Sequence, residues 1–244
     1  MMSSPSDTTV DALSPPALNS PAWLTPALLV LGLVAALVAE PVFQANRERF
    51  FTATGLPPFP PKLMWKVFWD NVYNHSICFG FLGMVLCGFM SMAVGNAIHL
   101  NRAVYGMIIG SLVGLIAGPA LGMFGWYISE RMLANNFDID SVIKAILIFL
   151  PFWFGLGLAA CFSALLVTRK LKHFMRAVLP SMVFAIIAVF LYVGIVTVAF
   201  PTDWPGRIIP EYARTRIVLC ITGCLGVAAA VIATMRACGG PRTV

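Results

Sequence analysis

The chain has 244 residues, of which 59% are hydrophobic and only 11% charged, and its mean hydropathy is +0.88. A soluble domain of this size cannot hide that much apolar side chain, so the composition excludes one and implies an all-α, polytopic integral membrane protein. The net charge of +6, from 16 Lys+Arg against 10 Asp+Glu, resides between the apolar runs; anionic lipid headgroups are the expected partner there, and nucleic acid is not.

Residues 1–21 hold Ser, Pro, Asp7 and Asp11 but no Lys or Arg. They lack the basic start of a secretory signal and the Arg-rich face of a transit peptide, which predicts a flexible tail with targeting left to the first apolar run. That run, 22–39, is expected to end at Glu40-Pro41, because a carboxylate resists burial and proline cannot continue the helical ladder. Five more spans are predicted at 77–100, 104–128, 146–167, 177–200 and 217–235, followed by a tail over 237–244. Each can cross about 30 Å of hydrocarbon at about 1.5 Å per residue, and together they form one transmembrane domain over 22–236. Pro151 and Pro180 predict kinks in the fourth and fifth spans.

The connection before the second span contains a proline-rich elbow at 56–61 and then an amphipathic stretch over 62–74. Lys62, Lys66, Asp70 and Asn74 recur every four residues, with Trp65 and Trp69 among the apolar residues between them. Such a segment suits the headgroup layer, where indole rings settle and lysines reach phosphate. The same residues also suit the first turns of a long second helix.

The third span carries Gly106, Gly110, Gly114, Gly118 and Gly122 at a strict four-residue interval. On a helix these form a groove of bare backbone where another helix can approach closely. The short link at 101–103 makes the second span, with Gly80, Gly83, Gly88 and Gly95, the nearest partner; self-association and docking of another subunit or a lipid are the alternatives. Such a periodic glycine helix resembles those of the four-span translocase-channel family of the mitochondrial inner membrane, whose relatives include a respiratory complex I accessory subunit. The resemblance covers about one span, and six spans exceed that family's usual four. It implies a place in an energy-converting membrane and carries over no functional residue.

Residues that could support chemistry are sparse. Glu40, Glu130, Lys144 and Arg216 fall at span ends, where snorkelling to the interface makes them cheap, so the spans read as lacking the midplane ionisable group that ion-coupled transport uses. His75 and His99 bracket the second span, about 36 Å apart along a helix, too far to ligate one haem iron; His173 lies in a basic loop. Cys220 and Cys224 share a helix face beside Gly223 and Gly226, which suits close packing better than zinc, and the six cysteines read as free thiols. Asn136, Asp138 and Asp140 imitate the start of a calcium loop but lack its glycine and closing glutamate; Asp140 or Ser141 better serves as a helix cap before Val142. No cofactor is implied.

Seven basic residues fall on one side of the six spans and nine on the other. The short, dense cluster Arg169, Lys170, Lys172 and Arg176 favours its own side as cytoplasmic or matrix-facing, and these four cations are expected at the headgroups. The function these features imply is a non-catalytic structural or accessory subunit of a larger membrane complex, with 62–74 and the aromatic stretch 149–154 touching lipid or other membrane subunits. The alternative is a passive channel or carrier for a small neutral solute along the glycine-lined helix. The membrane expected is the mitochondrial inner or the bacterial plasma membrane.

Overall fold

The apolar runs form six helices long and apolar enough to cross a membrane, and no strand occurs among the described residues. The computed structural model describes residues 21–49, 61–134, 140–203, 205 and 209–239, the side chains of 47–49, 61–68, 130 and 132–134 excepted. In order the helices are α1 (Leu24–Arg49), α2 (Pro61–Asn96), α3 (Leu100–Ala134), α4 (Ser141–Val167), α5 (Val178–Ala199) and α6 (Ala213–Ala237), with a 3-10 helix over Leu171–Ala177 leading into α5. The tail expected at 1–21 falls, but for Pro21, outside the described residues, as do Asn136 and Asp138.

Local chemistry explains several boundaries. Asp140, one of the two expected caps, accepts a 2.9 Å hydrogen bond from the Val142 N–H and satisfies an otherwise orphaned donor. Helix α4 ends in a Schellman turn: the Arg169 N–H donates to Leu166 and the Lys170 N–H to Leu165, with Arg169 at φ 57°.

Three expectations need correction, and one pair of alternatives is decided. Helix α1 does not stop at Glu40-Pro41 but runs to Arg49, because Glu40 is paired with Arg216 and Pro41 forfeits only one backbone bond. Of the two readings of 62–74, the structure takes the first turns of a long second helix: α2 is continuous from Pro61. Pro180 occupies the third position of α5, where its missing N–H would have had no intrahelical partner, so the cause of a kink is absent. The aromatics of 149–154 do not all face outward: Phe149, Phe152 and Trp153 are buried in the core.

The helices form two sets. Helices α2, α4 and α6 are inner and run parallel, as Ser91 meeting Ser163 and Cys161 meeting Thr234 require. Each outer helix lies antiparallel in a groove between two inner ones: α1 against α2 and α6, α3 against α2 and α4, α5 against α4 and α6. The apolar windows of the inner helices are 67%, 50% and 50% buried, against 33%, 22% and 33% for the outer ones, which leaves the outward faces of α1, α3 and α5 to the bilayer. Aromatic contacts tie the sets together at one end, Phe79 meeting Phe43 at 5.4 Å and Phe149 meeting Tyr192 at 5.3 Å, while Phe79 and Phe152 join two inner helices at 4.7 Å.

Candidate functional site

Glycine brings the backbones of α2 and α3 into direct contact. Cβ atoms built on Gly106, Gly110, Gly114 and Gly118 would overlap the carbonyl oxygens of Ser91, Cys87, Gly83 and Phe79 respectively, and one on Gly122 would strike the Phe79 ring. Gly83 opposes Gly114 and Gly118 in return, and Gly80 receives the Pro119 ring, with Cγ 3.0 Å from where a Cβ would lie. The five-glycine face is therefore filled by α2 of the same chain and offers no open path. A cleft among α4, α5 and α6, bordered by Trp153, Gly157, Ser181 and Gly223, is too narrow for a water molecule.

Charge is concentrated where α1 meets the start of α6. Arg216 is fully buried, one turn into α6. Its Nε donates to Glu40 at 3.2 and 3.3 Å, Nη2 to Glu40 at 2.9 Å and to the Gln44 side-chain oxygen, and Nη1 to the carbonyls of Pro210 at 3.1 Å and Glu211 at 2.7 Å. All five guanidinium N–H groups are thereby used. This corrects the expectation that Arg216 snorkels: its side chain turns inward because Glu40 and Gln44, one turn apart on α1, present acceptors that hydrocarbon cannot. The signal was present in the sequence as Glu40 and Gln44 at i, i+4, but their partner lies 176 and 172 residues away.

A second clasp stands beside the first. Asp203 is buried and accepts from Arg214 Nη2 at 2.8 Å and Nε at 3.1 Å and from the Thr215 hydroxyl. Arg214 also lies over the rings of Phe200 and Tyr212, 4.8 and 5.2 Å from their centres. The Arg214 hydrogen bonds hold the Asp203 carboxyl below the usual carboxylate range, burial opposing and Thr215 assisting. Tyr192 donates to the Pro205 carbonyl at 3.2 Å, fixing the same connection to α5.

At the opposite end, Lys170 donates to the Cys238 carbonyl at 2.9 Å, Arg176 to the Ala237 carbonyl at 3.0 Å, and Arg236 to Thr25 at 3.2 Å. Two of these cations cap the negative C-terminus of α6. Arg169 and Lys172 are exposed. Of the amphipathic set, Trp69 is exposed beside Tyr73, while the side chains of Lys62, Trp65 and Lys66 lie outside the described residues.

The remaining candidates stay apart. His75 is buried, bonded at 2.6 Å to the Asn71 carbonyl and stacked on Phe79; His99 accepts from the Asn101 N–H at 3.2 Å. All six cysteines are free and buried, Cys220 and Cys224 among them, and no group of three metal-binding side chains converges among the described residues. Cys161 and Thr234 meet at 3.4 Å and Ser91 donates to Ser163 at 2.6 Å, polar contacts between inner helices. Comparison with known protein families, curated proteins and solved structures finds no match.

Proposed function

We propose that the chain is a non-catalytic structural or accessory subunit of a larger membrane protein complex in an energy-converting membrane. The observation that carries this reading is the use made of Arg216: every one of its donors is spent on Glu40, Gln44 and two carbonyls of the same chain. This fully buried charge holds helices together and leaves no donor for a substrate. The α2–α3 seam supports the same reading, since tight backbone contact gives a rigid hairpin whose outer face, with Ile108, Leu112, Ile116 and Phe124 exposed, is open to a neighbouring subunit or to lipid. Lys62, Trp65, Lys66 and Trp69 at one end, and Arg169, Lys170, Lys172 and Arg176 at the other, serve as contacts to headgroups.

The test is extraction in a mild detergent followed by native electrophoresis and identification of co-migrating polypeptides. Stoichiometric different polypeptides are expected. A chain that migrates alone, or as a homo-oligomer passing a small neutral solute in liposomes, overturns the reading in favour of the channel.

A further inference from the structure

We infer that the α4–α5 connection is a binding surface for an anionic phospholipid, with Arg169 and Lys172 on the phosphodiester and the acyl chains lying along Leu171, Met175 and Leu179. Three independent observations converge on this segment. First, the end of the bundle that bears it is one-signed: among the described residues it carries Arg102, Arg169, Lys170, Lys172, Arg176 and Arg236 and no carboxylate, whereas Glu40, Asp70, Asp140, Asp203 and Glu211 all belong to the other end. An end whose described charges are all positive attracts anionic lipid over a Debye length.

Second, the segment presents charge and hydrocarbon together. Leu171, Met175 and Leu179 are 40%, 77% and 71% exposed at four-residue spacing, interleaved with exposed Lys172 and Arg176. Side chains of both kinds on the 3-10 helix and the first turn of α5 match the two chemistries of a phospholipid.

Third, Arg169 occupies a position that disfavours it. Its φ of 57° at the Schellman turn is a conformation natural to glycine and costly to a residue with a Cβ. Its guanidinium makes no hydrogen bond or ion pair with the described residues, unlike Lys170 and Arg176, which are turned onto the end of α6. A planar, bidentate cation exposed at a strained turn that closes a membrane-crossing helix is suited to phosphate.

This sharpens the headgroup contact proposed above for two of its residues and is independent of whether the chain joins a complex. The test uses the isolated full-length chain in a non-ionic detergent, with phosphatidylglycerol, phosphatidylcholine of the same acyl chains, and inorganic phosphate as probes, read by native mass spectrometry and by melting temperature. Phosphatidylglycerol alone is expected to remain bound and raise the melting temperature. Arg169→Gly combined with Lys172→Gln should weaken its retention by about tenfold while leaving the lipid-free melting temperature equal or higher, because glycine relieves the strain at the turn. Equal retention by wild type and variant, or equal retention of phosphatidylcholine, overturns the site. An equal shift with inorganic phosphate overturns the lipid as its occupant. If the glycine variant does not fold, Arg169→Gln with Lys172→Gln is judged by the same outcomes. A chain that co-migrates with other polypeptides yet retains no phosphatidylglycerol fails here alone.

Discussion

The α2–α3 hairpin and the α1–α6 contact bring helices together by opposite means. Along the hairpin, small residues let two backbones meet, and the attraction at the glycine seam is dispersion. Between α1 and α6 a single guanidinium gathers a carboxylate, an amide and two carbonyls from segments at positions 40–44 and 210–211. The seam tolerates no added volume but is indifferent to charge; the ionic contact depends on the charge and hydrogen-bonding groups of its members. Continuous close packing fixes how near two helices lie, whereas one polar node fixes which residues of distant segments coincide.

The sharpest break in that contrast is Gly114→Leu. A side chain there must displace the Gly83 carbonyl of α2, so the loss should reach several kcal/mol in denaturant or thermal unfolding in detergent micelles; unchanged stability would mean that α3 is not seated on α2. Next comes Arg216→Met, which leaves Glu40 without its partner in a largely buried site. A loss of about 3–5 kcal/mol is expected, and Glu40→Met combined with Arg216→Met should recover most of it, since replacing both members of a buried pair is often neutral. A double variant as unstable as the single one would contradict that account.

A smaller effect concerns pH. The folded-state pKa of Asp203 lies below the value of about 3.9 it has when unfolded, so its contribution is present above that pH and is lost as pH falls through the folded value. Melting temperatures measured from pH 7 to pH 3 should show the decline, and Asp203→Asn should flatten it. The smallest change is Gly194→Ala on α5, where nothing lies within 4 Å of the new methyl group; it should be neutral or stabilise by up to about 1 kcal/mol, against the severe cost of any side chain on the α3 seam. Circular-dichroism melts of the two glycine variants side by side separate a glycine that packs from one that does not.

Much of the fold is legible in one dimension. Six apolar runs of membrane-crossing length, the four-residue glycine spacing and an Asp cap before Val142 are local patterns, set by backbone hydrogen bonding in hydrocarbon and by helical periodicity. The end of α1 was not legible, because proline and glutamate stop a helix only when nothing compensates them, and the compensating Arg216 lies far along the chain. Nor was the inward turn of Phe149, Phe152 and Trp153, since an aromatic residue is equally at home in a core and against lipid, and only the rotation of α4 about its axis chooses.

The sequence by itself determined that this chain forms apolar helices and where small residues permit contact, because those properties depend on neighbours within a few residues. Only the tertiary structure decided that α2, α4 and α6 lie inside α1, α3 and α5, and that Arg216 is buried on Glu40 rather than reaching for water. Helix order in the bundle and the meeting of charges 176 residues apart depend on how whole faces pack, a sum over many weak contacts that no local pattern contains.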